Sequence, residues 1–274
     1  LPQGLKSRML NLDNTVLVLD DAAAGYPWEL MVPPEDDSSL GDGPTPLALQ
    51  AGMVRQRVAY DFRALPTLTT ACEALVVGAP STDGWRDQAG QPLVFSRLPG
   101  AMDEARGVCQ WLAADQRPWR TTALLGEAAP FQRVRMALLA QPYRLLHLCG
   151  HGVVDFWVGD TGDAAQPQVQ RKTGMLLNNQ QVLTAADIEQ MGTVPEFVFI
   201  NCCYSGRDGD ETRLAAAQRE YPLLAASLAL QFIKMGSRAV VAAGWQVDDS
   251  DGLLFARTLN DALLQDNRNF GDAV

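Results

Sequence analysis

The sequence predicts an α/β fold built on an open, mostly parallel sheet with helices on both faces. Short apolar runs that end in Gly, Pro or polar residues alternate with amphipathic segments along the chain. The connections between successive runs are long enough for crossovers, which parallel neighbours require. A length of 274 residues with 47% apolar content suits one large α/β domain or two small ones.

The elements follow in order. Thr15 to Asp20 reads as a strand in an opening hairpin-like piece, and Pro33 to Pro46 as an acidic, breaker-rich loop. Ala74 to Gly78 is a short apolar run suited to a buried parallel strand. Pro99 to Ala114 reads as an amphipathic helix, with Ala105, Val108 and Leu112 on one side and Asp103, Glu104 and Arg106 on another. A strand fits Thr121 to Leu125, and a helix fits Pro130 to Gln141 with its proline near the first turn. The next strand, Arg144 to Cys149, runs into Gly150-His151-Gly152. An insertion over residues 153–193 then carries a hairpin around Asn178-Asn179-Gln180 and a short helix near Ala185 to Met191. Phe197 to Asn201 forms a strand running into Cys202-Cys203. Helix Leu223 to Met235, strand Arg238 to Ala243 and helix Gly252 to Leu264 complete the alternation. Residues 1–70 are expected to form an N-terminal hairpin/helical part packed on a core of residues 71–274. The chain, opening on Leu1, reads as a fragment truncated at both ends.

Composition excludes several classes. With 22 Lys and Arg against 32 Asp and Glu, the net charge of −10 disfavours coating nucleic acid, because phosphate neutralisation needs surplus cations. No apolar run approaches the roughly 18 to 20 residues needed to cross a bilayer. Five cysteines, two of them adjacent at Cys202 and Cys203, make no disulfide framework. No secretory signal is visible, so a cytoplasmic, reducing environment is expected.

The chemistry-bearing residues cluster. Both histidines and three of the five cysteines lie at the ends of two apolar strands, where open α/β sheets gather their functional groups. If those strands are neighbours, His151 faces Cys203 across one rim of the sheet. An imidazole beside a thiol favours the nucleophilic thiolate. Gly150 and Gly152 are expected to permit unusual backbone angles and close approach, which lets the amides of Gly152 and Cys203 form an oxyanion hole.

These residues carry a resemblance. His151-Gly152 after one apolar strand and Asn201-Cys202-Cys203-Tyr204-Ser205-Gly206 after another look like the caspase-like clan of cysteine peptidases. The interval between histidine and cysteine is 203 − 151 = 52 residues, close to the roughly 50 of the caspase pattern. Tyr26-Pro27-Trp28-Glu29-Leu30, Leu98-Pro99-Gly100-Ala101 with Glu104-Ala105, and Trp245-Gln246-Val247-Asp248-Asp249 make the CHAT family, related to separase and metacaspases, the closest match. The resemblance implies a caspase-like fold and a cysteine endopeptidase with a His–Cys dyad and no cofactor or metal. Cys203 is the implied nucleophile, lying three residues before Gly206, and His151 the group that moves the proton. Family members usually carry N-terminal sensor or repeat modules, so such partners are expected beside a protein or peptide substrate, and the resemblance implies a role in a bacterial defence system. Asp248 and Trp245 match a region that holds a basic P1 side chain in separase-like relatives.

Other readings stand beside this one. Asp248, Asp249 and Asp251 also suit capping of the following helix. His147 reads as a buried structural histidine. His147, Cys149 and His151 alternate onto one strand face, so a zinc site is a rival, although spaced ligand pairs such as C-x-x-C are missing. A catalytically silent interaction module that keeps the fold is a second rival. Arg207, Arg213 and Arg219 occupy a charged loop after the cysteines in which self-cleavage is conceivable.

Overall fold

The computed structural model describes residues 15–20, 23, 26, 28–32, 46, 48–49, 53–57, 68–87, 89–114, 117–159, 169–204, 224–243, 247, 249–266, 268 and 270–273. Side chains at 57, 159, 169, 203, 204, 249, 250, 271 and 272 lie outside that description, as do the acidic loop of residues 35–43 and the arginines at 207, 213 and 219. The chain divides into two compact units, residues 1–60 with 258–274 and residues 61–257.

In the smaller unit, β1 (Thr15–Leu19) pairs with β2 (Met53–Arg57). The two strands run parallel, so Thr15–Leu19 and Met53–Arg57 are not the arms of a hairpin. A hairpin needs only a tight turn, whereas a parallel pair needs a long return, and 33 residues separate Leu19 from Met53. Met53 is buried against Leu17, Trp28, Met31 and Ala48, and the Trp28 indole N–H donates to the Ala23 carbonyl at 2.7 Å. Glu29 and Arg55 form an ion pair through both guanidinium-facing oxygens.

Among the described residues, the larger unit holds a seven-stranded sheet: β3 (Glu73–Gly78), β4 (Arg120–Leu125), β5 (Leu145–Gly159), β6 (Val169–Leu176), β7 (Val182–Thr184), β8 (Phe197–Tyr204) and β9 (Ala239–Ala242). Its parallel part has the order β4-β3-β5-β8-β9, so β5 and β8 lie side by side at the centre. Their residues are almost wholly apolar, as a strand covered on both faces must be. The strand that carries His151 runs further than the sequence suggested. β5 does not stop near His151 but continues to Gly159, and its distal half pairs antiparallel with β6. The register slips between Val153 and Phe156, where Asp155 takes φ +47° and its N–H donates to Thr173 Oγ1 at 3.0 Å. The expected hairpin at 178–180 is present between β6 and β7. Asn179 and Gln180 both adopt left-handed angles, φ +54° and +58°, as a two-residue hairpin turn requires.

Helices cover both faces. On one, α1 (Pro99–Leu112) buries Glu104, Ala105, Val108, Trp111 and Leu112 against β3, β4 and β5. A Cβ at Gly78 would stand 2.2 Å from that of Ala105, so only glycine permits this approach. The early turns of α5 (Asp249–Asn260) lie on the same face, where Phe255 meets Phe199. On the other face, α2 (Phe131–Ala140) contributes Val134 and Leu138. A helix over residues 224–235, α4, contributes Leu224, Leu228, Phe232 and Met235 at helical spacing. These join Leu75, Val77, Leu146, Leu148, Val198 and Ile200 in one core. The short α3 (Ala185–Glu189) starts in a capping box, with the Thr184 hydroxyl donating to Asp187 Oδ2 at 2.8 Å. The last helix, α6, spans Phe270–Ala273. Among the described residues, no helix is long and apolar enough to cross a membrane.

Candidate active site

The parallel register of β5 and β8 brings the two proposed dyad positions together. Leu145 pairs with Phe197, and the match runs residue by residue to Cys149 with Asn201, His151 with Cys203 and Gly152 with Tyr204. Adjacent strands lie about 4.8 Å apart, so two positions separated by 52 residues in sequence become immediate neighbours. For Cys203 the structure describes the strand backbone. Its side chain, Trp245 and Asp248 lie outside the described residues, and Asp249 is the first residue of α5.

Strand pleating separates the adjacent cysteines. Positions 198, 200 and 202 point into the apolar core with Leu224 and Phe232, and Cys202 is buried there. Positions 199 and 201 belong to the opposite face, under α1 and α5, and strand alternation places position 203 with them.

His151 is held on several sides. It is 4% exposed, and its Nε2–H donates to the Ser96 carbonyl at 2.7 Å. That bond leaves Nδ1 as the acceptor nitrogen of the neutral ring. The Phe95 ring lies 5.7 Å from the imidazole, and Phe95 is itself wedged against Trp85 and Phe156. Trp85 is fixed in turn by donating its indole N–H to the Leu177 carbonyl at 2.6 Å. Burial lowers the pKa of His151 below the usual imidazole value of 6.5, with the Ser96 carbonyl opposing that effect. The ring is therefore poised as a neutral base at pH 7.

The glycines around it serve packing rather than backbone freedom. Neither Gly150 nor Gly152 has a positive φ, so the expectation of unusual angles is corrected. A Cβ at Gly152 would come 2.1 Å from Leu224 Cδ2 and 3.1 Å from the Cys202 carbonyl oxygen. At Gly150 it would come 2.8 Å from Met175 Cε. Both are glycine because β5 is enclosed at close range.

Below the dyad row lies a second polar cluster, of which the sequence marked only His147, as a buried structural histidine, and not its partners Glu104 and Asn201. His147 is fully buried, stacks on Phe199 at 4.7 Å with the rings 6° from parallel, and donates from Nε2 to Glu104 Oε1 at 2.8 Å. The other carboxylate oxygen accepts from Asn201 Nδ2 at 2.6 Å. Glu104 was expected on the polar side of its helix, yet it is buried. The spacing Gly100, Glu104, Val108, Trp111 puts it on the buried stripe, and that periodicity was the available signal. Ser96 gave none, because it acts through its carbonyl.

Glu104, His147 and Cys149 present ligand atoms within 4.8 Å of one another, the one such group among the described residues. The chemistry of the donors argues against a cation. Both Glu104 oxygens already accept protein hydrogen bonds, and the Cys149 thiol donates to the Ala101 carbonyl at 3.3 Å. Burial first, then the nearby Glu104 charge, raises the pKa of the Cys149 thiol well above its ordinary value.

The family model for the CHAT domain matches the chain over residues 1–274, and the chain belongs to that family. No curated protein matches it. CHAT is a caspase-like domain of the cysteine peptidase type, and the mixed sheet flanked by helices agrees with that fold.

Proposed function

We propose that this CHAT domain is a cysteine endopeptidase whose dyad is His151 and Cys203. One observation carries the reading: the register pairing of those two positions across β5 and β8. In this mechanism Cys203 attacks the scissile carbonyl carbon, and the S–C bond forms as the carbonyl π electrons move to oxygen. His151 takes the thiol proton and returns it to the leaving amine as the C–N bond breaks. The acyl-enzyme is then hydrolysed by water, which the neutral imidazole deprotonates. The amides of Gly152 and Cys203 are the proposed donors to the oxyanion. Trp245 and Asp248 are the proposed substrate-contacting residues, with the Asp248 carboxylate selecting a basic P1 side chain. The activity resides within residues 71–274, acts on a protein or peptide in the cytoplasm, and is governed by sensor modules of a larger protein.

A thiol-reactive activity probe tests the reading. Labelling is expected to vanish in Cys203→Ala and survive in Cys202→Ala, whose thiol lies in the apolar core. Cleavage of a peptide library by the wild type and not by Cys203→Ala is the companion result. Equal labelling of both variants, with no cleavage, overturns the assignment in favour of a silent module.

A further inference from the structure

We propose that Glu104 is a positioning residue for the dyad, its carboxylate clamping β5 to β8 beneath the reacting row. The inference rests on the peptidase reading and adds to it a residue that touches neither substrate nor dyad.

The observations converge on the carboxylate. One oxygen receives a hydrogen bond from His147, two same-face steps before His151 on β5. The other receives one from Asn201, a single same-face step before Cys203 on β8. The clamp therefore joins the two strands that supply the dyad, within about 7 to 13 Å of it along the strands, at roughly 3.3 Å per residue. Phe199 stacks flat on His147 and fixes the plane of its ring. Space has been kept for the anion: a Cβ at Gly252 in α5 would stand 2.7 Å from Glu104 Oε2 and 2.9 Å from Asn201 Nδ2. Stability alone is a weak reason for this arrangement, since an apolar side chain of like volume usually serves a buried site as well or better. What an apolar residue cannot supply is a directional tie to two strands at once.

Groups that titrate around this row, among the described residues, are His147, Cys149 and His151 of β5, Glu104 and Cys109 of α1, and Cys202 on the opposite face of β8. α5 brings uncharged Gly252 and Phe255 to it, and β9 carries no ionisable side chain. This matters because two roles for Glu104 move the Cys203 thiol in opposite directions. Removing a buried negative charge, with geometry intact, eases thiolate formation and lowers the pKa of the thiol. Losing the alignment of His151 with Cys203 raises it.

The test follows alkylation of Cys203 by iodoacetamide against pH, read by peptide mapping so that Cys202 is distinguished. Thermal unfolding is measured alongside. In Glu104→Gln the neutral amide keeps one acceptor oxygen in place of two, so the charge-assisted tie to one of the two strands is lost. The Cys203 profile is expected to move to higher pH, with the rate at pH 7 falling at least about tenfold, the loss that a one-unit rise brings. Asn201→Asp opposes two carboxylates and is expected to lose more at pH 7 than at pH 5. The double variant Glu104→Gln, Asn201→Asp reverses the polarity of one bond and keeps the other. It is expected to recover to within about threefold of the wild type.

A profile that stays in place or moves to lower pH in Glu104→Gln overturns the proposal, as does a double variant no better than Asn201→Asp alone. Should either exchange prevent folding, Asn201→Ser removes one bond without opposing like groups and is read by the same criteria. Failure of the peptidase reading looks different. There the wild type itself shows an ordinary thiol profile that His151→Gln leaves unchanged.

Discussion

Gly152→Ala separates the two reasons a glycine can stand beside the dyad. The added methyl would lie 2.1 Å from Leu224 Cδ2, whereas carbon atoms in contact settle at about 3.5 to 4.0 Å. About 1.5 Å of overlap must be relieved. Leu224 is buried among Cys202, Leu228 and Phe232, so its side chain can give way only into packed core. Forcing a methyl into such a site costs about 1 to 3 kcal/mol. For a unit of this size each kcal/mol lowers Tm by about 2 to 4 °C, which places the expected fall at about 2 to 12 °C. Differential scanning calorimetry measures it. The decisive arm is the pair Gly152→Ala with Leu224→Ala. Truncating Leu224 alone leaves a cavity costing about 2 to 5 kcal/mol, and the alanine at 152 then occupies part of that space. The two changes are expected to be non-additive by at least about 1 kcal/mol, with the double variant more stable than the sum predicts. Strict additivity would refute the packing explanation and return the glycine to a backbone role.

Two further predictions concern pH and the sheet's lower edge. His151 has its pKa lowered by burial, so below pH 6.5 the unfolded chain takes up a proton that the folded ring resists. Its contribution to stability is thus full above 6.5 and lost as pH falls through that value. Cys149, raised well above 9, keeps its proton after the unfolded thiol has lost its own, so its contribution fades above pH 9. Urea midpoints should accordingly hold between these limits, and His151→Gln should flatten the acid side relative to wild type; an unchanged acid slope in that variant counts against the buried neutral ring. Separately, Glu196 bonds Arg144 at 2.6 Å and Arg238 at 2.8 Å, at the starts of β5, β8 and β9. Glu196→Gln is expected to cost about 1 to 2 kcal/mol by chemical denaturation, nearly all through half-buried Arg144. Arg238 is 68% exposed, and a pair so open to solvent contributes little.

The central strands, the two covering helix patterns and the hairpin at 178–180 were legible because each is a local signal. A strand covered on both faces must be apolar, a covering helix must repeat its apolar residues every three or four positions, and a two-residue turn wants asparagine. The proximity of His151 and Cys203 was legible only through a spacing of 52 residues matched to a family pattern. Elsewhere local signals misled. Glu104 was set on the polar face by its charge, although its spacing with Val108 and Trp111 places it inside. For Gly152 the sequence suggested both an unusual angle and a close approach, and only the approach is seen, because a glycine in sequence does not say whether it lacks space or needs an angle.

By itself, then, the sequence determined the central parallel strands, most of the inward stripe of the covering helices, and that an imidazole and a thiol follow two of the central apolar runs. Those properties are set by side-chain chemistry within a few residues of each other. Tertiary structure alone decided the register of β5 on β8, the parallel pairing of β1 with β2, the carbonyl of Ser96 on the imidazole and the carboxylate of Glu104 between two strands. Each of these joins groups from distant stretches of chain, and a partner that far away is fixed by how whole elements pack, which no short window of residues encodes.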